Sequence, residues 1–226
     1  MKDYKNFINY FKRSDGTAST GMGLLIGGVI LFWLGWTFFW LFFYLGIPMI
    51  PVGIALYIYG TTGRSDESEL AKIIKDNSDA ISFTDIKESL EYRKRLPKKA
   101  VEENFNGYVF QDDVLMKKAK SGAMVSSEYI CGKMLILTDA ILIRSCKFSF
   151  VSDDKHQSEI EIPFSSIEKV EIERETQIYQ IEKKEFTVKT CFLVITHEGI
   201  QTRLPHKDDI YADELTGTLN RLFKNV

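Results

Sequence analysis

Three histidines, three cysteines and two pairs of adjacent aspartates are the residues from which this chain could build catalytic or metal-binding chemistry. His156, His197 and His206 stand alone: none has metal-ligand spacing to another histidine or a cysteine in register, so no metal site is expected. Cys131, Cys146 and Cys191 are odd in number and lack CxxC spacing, which reads as reduced thiols seated on strands of an intracellular domain. Asp112 with Asp113, and Asp153 with Asp154, are poor acid/base pairs, because strand neighbours point to opposite faces and turn aspartates satisfy backbone donors. GxxxxGK, GxSxG and HExxH are all missing from the sequence. The expectation is a protein that binds rather than catalyses, with no cofactor.

Two basic clusters could do binding chemistry. "MKKAKSG" places Lys117, Lys118 and Lys120 around one turn, and "YRKRLPKKA" places Arg93, Lys94, Arg95, Lys98 and Lys99 around Leu96 and Pro97. Such amines could meet anionic lipid headgroups at about 1 kcal/mol per charge near a membrane surface; a solvated turn and a solvated helix face are the plainer readings. The net charge of −2 leaves no basic footprint for nucleic acid.

What brings these clusters near a membrane is the run from residue 21 to 60, "GMGLLIGGVILFWLGWTFFWLFFYLGIPMIPVGIALYIYG". No charged residue lies between Asp15 and Arg64. One straight helix of that length would reach about 60 Å, twice the roughly 30 Å hydrocarbon core, so two passes fit, near 20–39 and 46–63. The reversal is expected between Thr37 and Pro48, where Trp36, Phe38, Phe39, Trp40, Phe42, Phe43 and Tyr44 form a boundary-seeking aromatic cluster. Pro48 is expected in the first turn of the second helix. A single pass over 22–45, followed by a kinked interfacial piece at Pro48 and Pro51, is the alternative. Gly21, Gly23, Gly27, Gly28 and Gly35, with Gly53 and Ala55, offer small faces for packing the two helices together or for a dimer.

Residues 1–20 carry Lys2, Lys5, Lys12 and Arg13 against Asp3 and Asp15, so the positive-inside rule keeps this tail in the cytoplasm. A hairpin returns the rest of the chain there, giving a multi-pass plasma-membrane protein with a cytoplasmic domain. Residues 64–104 read as a helical linker: "DESELAKIIKD" puts Leu70, Ile73 and Ile74 on one face, and "SFTDIKESLEYRKR" opens on a Ser82 cap with Ile86 and Leu90 four apart. From 105 to 226 the period changes to two. Seven strand-like runs, "GYVFQDDVLMKK", "EYICGKMLILT", "AILIRSCKFSFV", "SEIEIP", "IEKVEIERE", "EFTVKTCFLVITHE" and "IQTRLP", predict an antiparallel barrel or sandwich. Leu135, Leu137, Ile141 and Ile143, with Ile136, Ala140 and Leu142 between them, make one strand pair apolar on both faces until Arg144. A closing amphipathic helix would lay Ile210, Leu215, Leu219, Leu222 and Phe223 over an open end.

"GKMLILTDAILI", residues 132–143, resembles the strand-turn-strand of bacterial PH-like and GRAM-like domains, and "IEIPFSSIEKVEI", residues 160–172, is similar to their next segment. The last strand pair and helix follow in the same order. The resemblance implies an α+β chain: an N-terminal transmembrane hairpin, then a PH-like barrel of about seven strands capped by a C-terminal helix. It also implies an adaptor that recruits a protein partner or its own copies, with Lys117, Lys118 and Lys120 at the loop where related domains hold phosphates. All three tryptophans lie in the apolar run, so the C-terminal helix lacks one and phosphoinositide specificity does not carry over.

Overall fold

A computed structural model describes residues 4–13, 16–37, 40–98, 101–181, 184–206 and 209–223. Lys2, Asp3, Asp15, Phe38, Phe39 and Lys99 lie outside them. The chain forms two compact units, Met1–Asp66 and Glu67–Val226.

The first unit is helical: α1 (Tyr4–Lys12), α2 (Gly16–Thr37) and α3 (Trp40–Thr61). α2 ends at Thr37 and α3 already begins at Trp40, earlier than the expected start near 46, so Pro48 and Pro51 sit inside α3 and not in its first turn. There they cannot donate to the carbonyls of Tyr44 and Ile47, a loss that membrane helices tolerate when neighbouring groups re-satisfy the freed oxygens. Both long helices are apolar enough to cross a membrane, yet only 17% and 11% of their most apolar windows are buried. A core helix of a soluble protein would be mostly buried. Here Trp33, Trp36, Trp40, Leu41, Ile54 and Ile58 point outward.

What the helices bury against each other is glycine. The buried residues of α2 are Gly21, Gly28 and Gly35, and those of α3 are Gly46, Gly53 and Gly60. Each set repeats every seven residues, the period that keeps one seam of a helix facing its partner in a left-handed supercoil. A Cβ on Gly53 would lie 2.6 Å from the Leu25 nitrogen, and one on Gly46 or Gly60 would lie 2.6 Å from the nitrogens of Phe32 or Ala18. The backbones therefore touch along the whole hairpin. Gly23, by contrast, has nothing within 4 Å of its Cβ position. At the base, Arg13 Nη1 donates to the carbonyls of Tyr59 at 2.6 Å and Thr62 at 2.9 Å, and its guanidinium lies 4.1 Å from the Tyr59 ring centre. A cation on the last carbonyls of α3 satisfies orphan acceptors and suits the helix dipole.

The second unit begins with α4 (Glu67–Asp79), α5 (Thr84–Glu88) and α6 (Leu90–Arg93). Nine strands follow among the described residues: β1 (Val101–Tyr108), β2 (Met116–Lys118), β3 (Met124–Ser126), β4 (Glu128–Ile136), β5 (Ala140–Ser149), β6 (Lys155–Pro163), β7 (Ile167–Ile181), β8 (Lys184–His197) and β9 (Ile200–His206). A single 3-10 turn, Phe164–Ser166, joins β6 to β7, and α7 (Asp209–Phe223) closes the chain. The strands make an antiparallel four-stranded sheet in the order β1-β4-β5-β6, the hairpin β2-β3, and a three-stranded sheet β7-β8-β9.

Among the described residues no single barrel closes. Gly107 of β1 meets Pro205 of β9, where an added Cβ would come within 2.8 Å of the proline Cβ, but no ladder joins these strands. Proline has no N–H to offer an adjoining strand, which confines it to sheet edges. The first strand also starts at Val101, upstream of the expected 107–118 run. That run leaves the sheet after Tyr108, turns at Asp112–Asp113 and resumes as β2.

The β4-β5 pair is apolar on both faces, as its sequence predicts, and each face has its own cover. Met134, Ile136, Ile141 and Ile143 pack between the sheets with Leu193, Ile195, Leu215 and Leu219. Leu135, Leu137, Ala140 and Leu142 pack on the other side with Phe83 and Ile86, flanked by Tyr92 and Leu96. The segment between the hairpin and β1 is thus a layer of the second unit. On α7, Phe223 joins the core edge, whereas Leu222 points outward at 37% exposure, against the expectation that it would pack inward.

Replacing Gly53 by Ala should force α2 and α3 apart at backbone level, since the clash is with main-chain atoms, at roughly 1–3 kcal/mol. Thermal unfolding of the detergent-solubilised chain should shift down for Gly53→Ala and stay unchanged for Gly23→Ala. Equal behaviour of the two variants would contradict the glycine seam.

Candidate functional site

β7 and β8 run on together past the end of β9. β8 pairs with β7 back to Lys184, but β9 accompanies it only from Cys191 to His197. The protruding ribbon, the end of β1 and the β2-β3 hairpin enclose an open groove of about 840 Å³. Tyr108, Phe110, Lys118 and Met124 line one side, and Glu185 through Phe192 line the other, with Pro205 and His206 at the end of β9. The volume lies within the usual range for ligand sites.

Aromatic packing fixes the β1 wall. Tyr108 stands edge-on to Tyr129 with ring centres 4.9 Å apart, Tyr129 donates through its hydroxyl to Asn106 Oδ1 at 2.9 Å, and Phe110 lies 6.2 Å from Tyr179 of the ribbon. Burial raises the Tyr108 and Tyr129 phenols above their ordinary range, so both stay neutral. Charge in the groove is mixed. Arg174 pairs with Asp213 at 2.9 Å and Glu175 with Arg203. Lys118 and Lys189 have no acidic partner among the described residues.

The basic residues singled out from sequence divide. Lys118 and Lys120 are exposed, and the Lys120 N–H donates to Glu67 Oε1 at 2.7 Å, tying the hairpin to the start of α4. Lys117 is buried on β2. Arg93, Lys94 and Lys98 are exposed, whereas Arg95 is a clamp: its Nε donates to both Asp139 oxygens at 2.9 Å and its Nη2 to Glu161 at 2.5 Å, while its carbonyl accepts from the Thr138 N–H. The two clusters are attached at opposite ends of β4. Arg95 meets the turn after Ile136, and the hairpin carrying Lys117 to Lys120 enters before Glu128. They do not form one patch.

Arg144, at which the apolar alternation of β5 stops, is the second clamp. It grips Asp85 through Nη1 and Nη2 at 2.6 Å each, donates from Nε to Glu159 at 2.5 Å and bonds the Ser82 carbonyl. An arginine closing the apolar run Ala140–Ile143 was the available signal. Both clamps pin the α5-α6 segment to the outer face of the sheet.

The remaining reactive types are placed structurally. Cys131 lies directly across from Cys146, and all three cysteines are buried thiols outside any disulfide; burial pushes the Cys131 thiol up to about 12, leaving it protonated at neutral pH. His197 Nε2 lies 3.1 Å from Thr202 Oγ1. No cluster of metal-ligating residues occurs among the described residues.

Comparison with family models, curated proteins and solved structures returned no match.

The hydrogen bonds and charge of Arg144 hold the Asp85 carboxyl at about 2, below its ordinary 3.8. A depressed value means that the carboxylate's contribution is complete above pH about 4 and is lost as the pH falls toward 2. The side chain is 64% exposed, so solvent screening keeps the contribution small. Asp85→Asn should lower the urea midpoint at neutral pH and flatten its fall between pH 5 and 2. An unchanged acid limb would show that the clamp carries no stability.

Proposed function

We propose that this protein is a membrane-anchored adaptor: the α2-α3 hairpin holds the 67–226 unit at the cytoplasmic face of the plasma membrane, where it recruits a protein partner or a second copy of itself. The observation that carries this reading is the hairpin, two membrane-length helices apolar on their outer surface and sealed to each other by glycine. Lys5, Lys12 and Arg13 ahead of it support a cytoplasmic N-terminus. Arg13, bonded to the end of α3, keeps the two ends of the hairpin on one side.

A PH-like reading of the second unit finds support in its order: four strands in one sheet, three in the next, then a helix packed over the core between them. It leads to binding rather than catalysis. Anionic-lipid sensing is the weaker reading, because Arg95 is spent on Asp139 and Glu161, Lys117 is buried, and the two basic clusters enter at opposite ends of β4.

The test has two parts. Reporters fused at residues 5 and 226 should both be cytoplasmic; an external C-terminus with an internal N-terminus would replace the hairpin by a single crossing. A photo-cross-linking amino acid at Lys118, in the full chain in membranes, should capture a polypeptide. Adducts with lipid alone would favour headgroup sensing.

A further inference from the structure

The wall of the groove formed by β8 is a strand edge. Eight successive residues, Glu185 to Phe192, line it, as a strand seen from its side would. The β8-β9 hairpin turns through Glu198 and Gly199, both with positive φ (49° and 73°), and closes on the pair His197-Ile200. In a two-residue hairpin of this kind the closing pair is hydrogen-bonded, and bonded and non-bonded pairs alternate along the strand. His197, Ile195, Leu193 and Cys191 therefore face β9, while the residues between them bond to β7. The same alternation turns the N–H and C=O groups of Glu185, Thr187 and Lys189 toward the side on which, among the described residues, no strand accompanies them.

We propose that the groove takes an extended, acidic peptide segment of a protein partner, added as a strand to the Glu185–Lys189 edge of β8 in line with β9. This deepens the adaptor reading and rests on it. Main-chain bonds to an open edge are a recurring way of holding an extended peptide, with side-chain pockets supplying selectivity. The open stretch spans about 16 Å at 3.3 Å per residue, room for roughly five residues. Lys118 and Lys189, without acidic partners among the described residues, favour carboxylates on the incoming strand; Glu185 sets the opposite sign only at the ribbon tip. Tyr108, Phe110 and Phe186 offer apolar contact for the alternate side chains. β1, itself an edge strand, forms the opposite wall, so an added strand fills the gap at which the two sheets fail to meet.

The test is amide exchange by NMR on the full chain in detergent with millimolar acetylated, amidated heptapeptide TVDVEVT, its counterpart TVKVKVT, and phosphatidylserine vesicles as separate arms. TVDVEVT should slow the amides of Thr187 and Lys189 at least about tenfold and leave those of Phe186 and Val188, already bonded to β7, unchanged. Thr187→Pro removes one outward donor without touching the β7 ladder, so it should abolish the effect at Lys189 while Phe186 and Val188 stay slow. If that variant loosens the ribbon, Lys189→Glu decides: preference should shift from TVDVEVT toward TVKVKVT, by up to about fivefold for an exposed charge. No slowing with either peptide, slowing that survives both variants, or slowing by vesicles alone overturns the proposal. Should cross-linking from Lys118 still capture a polypeptide while these amides exchange freely, strand addition fails and the adaptor reading stands.

Discussion

The β4-β5 pair is apolar on both faces, and the second unit is arranged around that constraint. A sheet with one apolar face needs one cover; this one needs two. The inner face is covered by the three-stranded sheet and α7, the outer by Phe83, Ile86 and the residues around α5 and α6. A segment as short as α5 has little stability of its own. It is held by the apolar contact and by Arg144 and Arg95, whose guanidinium groups reach from the sheet to Asp85 and from the α6 side to Asp139 and Glu161.

The groove follows from the same arrangement. The second sheet must lie close enough to bury Leu193, Ile195 and Leu204, which brings β9 against β1 at Gly107 and Pro205. Pro205 has no N–H to offer β1, and β9 is described to His206 whereas β7 and β8 stay paired out to Ile181 and Lys184. An open strand edge beside a cleft is what remains. Edges of this kind invite pairing by another chain, and proteins usually blunt or cover them.

Sequence periodicity revealed most of the strands because they are long and bounded by turns. β3 and the true start of β1 escaped it: β3 has three residues, and β1 reads VEENFNGY, with Phe105 its one fully buried side chain, as an edge strand can. The α5-α6 layer looked like a linker because its sheet-facing residues, Phe83, Ile86, Tyr92 and Leu96, are spread over two short helices and their flanks and make no continuous helical stripe. The glycine seam is legible in the sequence as two seven-residue repeats, Gly21-Gly28-Gly35 and Gly46-Gly53-Gly60, but only once Gly46 and Gly60 are set beside Gly53, which the small faces named from sequence left out. Separate sheets cannot be told from a barrel by alternation alone, since both alternate alike. Of the basic residues, Lys118 lines the groove, and what separates it from Arg95 is a tertiary ion-pair network that no local pattern encodes.

A double-mutant cycle on Phe83 and Leu142 tests the two-sided burial most directly. With the full chain in detergent, Phe83→Ala and Leu142→Ala should each cost about 2–5 kcal/mol of unfolding free energy, and the pair should fall short of their sum by about 0.5–3 kcal/mol, because both line one cavity. A negligible cost for Phe83→Ala, with strictly additive behaviour, would mean that the α5 segment is a tether lying free of the sheet.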